Sequence, residues 1–325
     1  MTGVQTRTVT NDENGMRLDR WLRQYVPQVT QGWIQKNARK GSVRIGGARA
    51  KADTRLAAGQ AVRIPPVPEA KAPAPKSYRP PDPELVAEIE SRILYRDADL
   101  LIIDKPYGLA VQGGSGTTRH LDAVLDAFKT KKGGERPRLV HRLDRDTSGV
   151  LVLAASAFAA RELGGLFKGR DVEKLYLAVT VGVPDPSAGT IKLPLTKGGP
   201  KGSEKMRPDP ENGQPAITDF DVLEKAAASA GFVALVPRTG RTHQLRAHMA
   251  AVGSPILGDG KYGGKEALPD LPDIPKQLHL YACRIRFSHP RTGKMVDVTA
   301  PLPAHMRPAL DFFGFDERTK SDFLD

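Results

Sequence analysis

The amino-acid sequence predicts an α+β protein of two domains, and three observations carry that prediction. Residues 16–41 place apolar side chains at helical spacing and then give way to short alternating runs. Residues 65–83 hold eight prolines among alanines and lysines, a density that keeps a chain extended and without a core. From residue 84 on, strand-like apolar runs alternate with short helical patterns, with no internal repeat. The expected division is a flexible tail over 1–15, a small domain over 16–65, a linker over 66–88 and a large domain over 89–325.

In the small domain, Leu18, Trp21, Leu22 and Tyr25 recur at three- and four-residue spacing, so one face of the first helix is apolar. Arg17, Arg20 and Arg23 line a neighbouring face. A turn around residues 27–30 precedes a second helix over 31–39, which ends at Lys40-Gly41. In Ser42-Val43-Arg44-Ile45, Val43 and Ile45 point one way and Arg44 the other, as a half-buried strand requires. Gly46-Gly47 signals a hairpin turn, and Ala61-Val62-Arg63-Ile64 a closing strand.

In the large domain, Leu100-Leu101-Ile102-Ile103-Asp104-Lys105 reads as a strand stopped by Pro106. Gly113-Gly114-Ser115-Gly116 lacks the Gly-Lys-Ser/Thr ending of a phosphate loop and is expected to be a mobile loop at a cleft. Residues 120–130 read as a helix. Tyr176, Ala178 and Thr180 alternate with Leu177 and Val179, as in a strand with two distinct faces. Residues 232–236 form another strand, and 242–252 a helix with Gly253 at its C-terminal end.

Composition narrows the function classes. No window approaches eighteen apolar residues, so no membrane span is expected. The first twelve residues lack an apolar signal core, and Cys283 is the single cysteine, so a reducing compartment, the cytoplasm, is expected. The net charge is +12. Twelve Lys/Arg against four Asp/Glu in residues 1–65 supply +8 of it, leaving +4 for the other 260 residues. That concentration favours a nucleic-acid-binding module over an evenly solvated basic surface.

The chemistry concentrates in His141-Arg142-Leu143-Asp144-Arg145-Asp146-Thr147-Ser148-Gly149, which runs directly into the apolar Val150-Leu151-Val152-Leu153-Ala154. A charged loop feeding a buried strand holds a carboxylate rigidly at the rim of a cleft. From residue type alone, Asp144 could equally cap a turn, and Asp146 is its rival. His243 and His248 are five apart, off a common helix face, with no carboxylate between them as in His-Glu-x-x-His, so no metal site is expected. Ser148 lacks the Gly-x-Ser-x-Gly elbow that a hydrolase reading with His141 needs.

This motif resembles the catalytic motif of the pseudouridine synthases of the RluA, RluC and RluD group. Two further segments agree in order and spacing: Val172-Glu173-Lys174-Leu175-Tyr176-Leu177-Ala178, and Arg238-Thr239-Gly240-Arg241-Thr242-His243-Gln244-Leu245-Arg246-Ala247-His248. Ser254-Pro255-Ile256-Leu257-Gly258-Asp259 and Leu278-His279 continue the match, which spans about residues 89–305. The resemblance implies a mixed, mainly antiparallel β-sheet with flanking helices. It also implies isomerisation of uridine to pseudouridine in RNA after base flipping, without cofactor or metal. Asp144 matches the catalytic aspartate, acting either as a covalent nucleophile or as a base at the sugar. Tyr176 matches the residue against the flipped uracil and is a candidate base for carbon 5. Arg246 matches the arginine that pairs with the catalytic aspartate. Arg142 resembles the side chain that fills the gap left by the flipped nucleotide, and His141, Arg241 and His243 join it as expected RNA contacts.

Residues 16–65 resemble the alpha-L RNA-binding domain of a small-subunit ribosomal protein and of tyrosyl-tRNA synthetases, with Arg17, Arg20, Arg23, Lys40 and Arg44 as its RNA contacts. Within the group the chain is most similar to the RluC branch, which implies large-subunit (23S) ribosomal RNA, or an assembly intermediate, as partner of a monomeric enzyme. RluD-type or RluA-type specificity, including tRNA, and a non-catalytic RNA-binding assembly factor are the alternatives. Gln112 departs from the histidine expected before Gly113.

Overall fold

The computed structural model describes residues 3–68, 80–114, 117, 119–129, 134–200, 204–319, 321 and 323. Ser115-Gly116 of the glycine-rich loop and residues 69–79 of the expected linker lie outside them. The chain divides into two compact units, Met1–Arg79 and Pro80–Asp325.

In the first unit, helices Leu18–Tyr25 and Gln31–Lys40 pack on a four-stranded antiparallel sheet. The Thr30 hydroxyl accepts the Trp33 N–H at 3.2 Å and starts the second helix, while Gly41 ends it at φ +73°. Leu18, Trp21, Leu22, Ile34, Val43 and Val62 form the core. Arg17, Arg20, Arg23, Lys40 and Arg44 are all exposed. The expected flexible tail is corrected: Gln5–Thr8 is a strand paired antiparallel with Ala61–Ile64. Its polar side chains carry no periodic signal because backbone hydrogen bonds hold this edge. Further along the same segment Val9 enters the core, and the buried Glu13 carboxylate accepts from Trp21 Nε1 at 2.8 Å and from Tyr25 Oη at 2.5 Å.

The second unit is built on a ten-stranded mixed sheet. Its strands run in the order Ala188–Lys192, Ile217–Ala226, Ala230–Pro237, Glu173–Val181, Leu280–Ser288, Ser148–Ala154, Leu100–Lys105, Ile93–Arg96. Met295–Thr299 pairs with Leu280–Ser288, and Arg138–Leu139 with Ser148–Ala154. Every pairing is antiparallel except that between Leu280–Ser288 and Ser148–Ala154. The Tyr176 strand divides its faces as its alternation requires, with Leu175, Leu177 and Val179 in one apolar cluster and Ala178 in another. One expectation needs correction and another is refined. Pro83–Glu90, which begins inside the expected linker and ends two residues beyond it, is a helix: Asp82 caps it, and Leu85 and Ile89 pack with Leu101, Ile103 and Leu125. The helix expected over 120–130 is a 3₁₀ helix, Leu121–Phe128.

Register places the chemistry at one end of the sheet. Ala282 stands level with Gly149 on one side and with Tyr176 on the other, and Tyr176 stands level with Leu235 in the next strand. The loop before Ser148, the ring of Tyr176 and the segment after Pro237 therefore converge. Gly149 makes the close pairing possible: at φ +103° a Cβ there would lie 2.2 Å from the Ala282 carbonyl oxygen.

Candidate active site

Where those segments converge there is a cavity of about 690 Å³, a size that admits a small-molecule ring. Asp144 lines it from the loop, Tyr176 from the adjacent strand, and His243 and Arg246 from the segment that follows Pro237. Arg142, Lys168, Arg170, Lys174 and Arg241 add positive charge around it. The Asp144 carboxylate is thus set within a largely basic wall, with Glu173 as the other acidic lining residue. Asp146 is not among the lining residues; its carboxylate is held by Arg145 at 2.8 Å and 3.1 Å.

The surroundings of each side chain decide what it can offer. Arg142 is exposed and makes no hydrogen bond or ion pair among the described residues. His141 is committed to the scaffold: its Nε2 accepts the Val152 N–H at 2.9 Å, and its ring stacks on Phe167 at 4.5 Å. Burial, with Lys174 nearby, pulls its pKa down to about 3, so at neutral pH the expected RNA contact at His141 is an uncharged ring. Burial also lowers the pKa of Lys174. The Tyr176 phenol is pushed well up, first by burial and then by the Asp144 charge, so it stands protonated. Arg241 is anchored to the Pro215 carbonyl and the Gln214 side chain, each at 3.0 Å.

The expected pairing of Arg246 with Asp144 is corrected. Arg246 makes two hydrogen bonds to Asp259, at 2.8 Å and 2.6 Å, with its guanidinium 5.1 Å from the centre of the Tyr262 ring. Both side chains of the pair are buried, and a planar guanidinium out of water goes to the carboxylate that can meet it bidentately. The Asp144 charge acts on Arg246 only at longer range. The nearest cationic candidate to Asp144 is His243, with Nε2 3.8 Å from Oδ2. Gly258 lets the chain place Asp259: at φ +82° a Cβ would lie 1.7 Å from the Gln277 carbonyl oxygen.

Sequence reasoning did not single out Asp259, Tyr262 or Lys105. Lys105 is fully buried, and its ammonium donates to the carbonyls of Pro106, Leu109 and Arg145 at 2.9, 2.9 and 3.1 Å, which ties the Asp144 loop to the end of its own strand. A lysine closing an otherwise apolar strand was the available signal. His248 is spent on the Thr218 hydroxyl and the Leu193 carbonyl, at 2.9 Å and 3.0 Å.

An acidic group and an aromatic ring inside a basic wall suit an enzyme that takes a planar base out of a polyanion. Comparison with known proteins shows the family. The profile of the RNA pseudouridylate synthase family matches residues 99–251. The chain is 38% identical over 314 residues to ribosomal large subunit pseudouridine synthase C of Vibrio cholerae, covering 95% of this chain and 96% of that protein. It is 37% identical to the protein of the same name from Pasteurella multocida, with coverage of 94% and 93%. Among solved structures, human RNA pseudouridylate synthase domain containing 4 matches with a TM-score of 0.60 at 30% identity, over 72% of this chain and 97% of that one. The chain belongs to the RNA pseudouridylate synthase family and is an isomerase acting on RNA.

Proposed function

We propose that this enzyme isomerises uridines of large-subunit ribosomal RNA, with Asp144 as the catalytic carboxylate. The observation that carries the role of Asp144 is its position as the loop carboxylate lining the cavity, facing the Tyr176 strand, while Asp146 is taken up by Arg145. The choice of RNA rests on the curated relatives, which share the name ribosomal large subunit pseudouridine synthase C at 35–38% identity over nearly the whole chain.

The reaction breaks the bond from N1 to C1′, turns the uracil, and forms a bond from C5 to C1′; C5 loses a proton and N1 gains one. Uracil must first leave its stack, at a cost of a few kcal/mol that is smallest in loops. Arg142, exposed and unpartnered among the described residues, is free to stack in the vacated place. The Tyr176 ring is the surface against which the flipped base packs. Its phenol is protonated in the resting site and offers a ring and a hydrogen-bond donor there, and Tyr176 is the candidate base for C5 once it gives up that proton. Arg246, Asp259 and Tyr262 act as the frame behind the reacting groups.

The first unit supplies an electrostatic grip. We take it as an alpha-L-type RNA-binding domain, in which exposed Arg17, Arg20, Arg23, Lys40 and Arg44 meet phosphates and shape, not base edges. The test is pseudouridine mapping of ribosomal RNA in cells whose own copy is replaced by the wild type or by Asp144→Asn. Sites present with the wild type and lost with the variant are expected. Identical maps would end this reading.

A further inference from the structure

Among the described residues no arginine lies within ion-pair distance of the Asp144 carboxylate, where the resemblance implies Arg246, and a histidine stands in that place. His243 Nε2 lies 3.8 Å from Asp144 Oδ2, and both side chains are about four-fifths shielded from water. On its other side, His243 Nδ1 is 2.8 Å from the Tyr262 hydroxyl. That hydroxyl also accepts the Met206 N–H at 3.0 Å. With one lone pair occupied by Met206, the phenol proton is free to point at Nδ1. The imidazole proton then sits on Nε2, directed at Asp144.

The backbone is shaped for this placement. His243 occupies the left-handed region at φ +50° and ψ +25°, immediately before the helix Gln244–Ala251. The conformation is uncommon outside glycine, histidine enters it more readily than most residues, and it persists where the surroundings hold it. Gln244, the next residue, is locked by Thr239, Arg241, Ile217 and Thr218, which fixes the turn that aims the ring. The charged and titratable groups around the imidazole are Asp144, Arg246, Asp259 and Lys261, together with Tyr262. Burial is the largest influence and lowers its pKa; Asp144 opposes that and Arg246 adds to it. The ring is therefore neutral when RNA arrives.

We propose that His243 is a positioning residue for Asp144, presenting an Nε2–H to the carboxylate in a tautomer fixed by Tyr262. The proposal rests on Asp144 being the acting carboxylate. It moves His243 from the RNA contacts to the orientation of the reacting group. One oriented donor fixes the rotamer of a carboxylate that must meet the ribose or the uracil in a single geometry.

The experiment compares His243→Asn and His243→Gln in single-turnover and steady-state kinetics on a uridine-containing ribosomal RNA fragment, beside Asp144→Asn. Asparagine tolerates the left-handed backbone but places its amide near the Nδ1 position, short of Asp144; glutamine can reach the Nε2 position. The 3.8 Å gap is wider than a hydrogen bond in the RNA-free structure, and a bond to a charged group formed as it closes around RNA corresponds to roughly 10- to 150-fold. His243→Asn is expected to lose kcat in that range with KM within about threefold, and His243→Gln to recover most of it. A raised KM with unchanged kcat, or equal kcat for the two variants, overturns the proposal. If His243→Asn fails to fold, Tyr262→Phe provides the test: a several-fold fall in kcat with KM held supports the fixed tautomer, and wild-type kcat overturns it. Full activity in Asp144→Asn would instead remove the catalytic reading on which the proposal stands.

Discussion

The two segments that meet at the cavity solve opposite problems. The loop His141–Thr147 displays its charge: Arg142 and Arg145 are exposed, and the ion pair of Arg145 with Asp146 is made between neighbours in the chain. The stretch Gln244–His248 hides its polar groups and satisfies them from afar. Gln244 bonds to Thr239, Ile217 and Thr218; His248 bonds to Thr218 and Leu193; Arg246 bonds to Asp259. The first segment offers groups to a ligand, and the second fixes the geometry in which they are offered. Unpaired charge costs little in water and several kcal/mol inside, so only the buried segment needs full satisfaction.

The contrast predicts that the same change of charge has unequal consequences in the two segments. The largest effect belongs to Arg246→Met, which strands the buried Asp259 carboxylate and is expected to cost about 3–5 kcal/mol of stability. Adding Asp259→Leu should return a large part of that loss in a denaturant titration. A double variant no more stable than the single one would mean the pair is not the unit described above.

Arg142→Ala should leave the unfolding midpoint unchanged and reduce turnover of a structured RNA by about tenfold, the worth of a stacked guanidinium of roughly 1–2 kcal/mol. Activity on a short single-stranded substrate, where flipping is cheap, should fall less. Equal losses on both substrates would argue against gap filling by Arg142.

Near neutral pH His141 gives the smallest effect, and it belongs, despite its address in the displayed loop, with the buried groups. Its folded pKa of about 3 lies below the ordinary value of 6.5, so between those values the folded protein binds fewer protons than the unfolded chain. Its neutral form therefore supports the fold fully above about pH 6.5, and that support is lost progressively as the pH falls toward 3. His141→Gln keeps an acceptor for Val152 without titrating. It should flatten the fall of stability with pH in that window, and an unchanged slope would show that His141 does not contribute to it.

What could be read from the sequence follows the same division. Asp144, Tyr176 and the charged loop were legible because the motif is contiguous and the strand alternates. The large sheet was legible from its apolar runs. Gln5–Thr8 was not, because an edge strand held through its backbone needs no side-chain pattern. The partner of Arg246 was not, because Asp259 is thirteen residues away and reaches it only through a turn that Gly258 permits. Lys105 looked like the polar end of a strand, yet its ammonium is enclosed by three carbonyls from two segments. Local pattern announces which groups line the cavity; the partners that orient them come from tertiary structure.

The central claim is that Asp144 performs the isomerisation on a scaffold that stands without it. The most direct measurement is release of tritium from ribosomal RNA labelled at C5 of uridine, since forming the C5 to C1′ bond expels that hydrogen. Asp144→Asn is expected to bind the RNA as tightly as the wild type and to unfold at the same temperature, while releasing no tritium above the uncatalysed background. Release at the wild-type rate from a folded, RNA-bound variant would contradict the account.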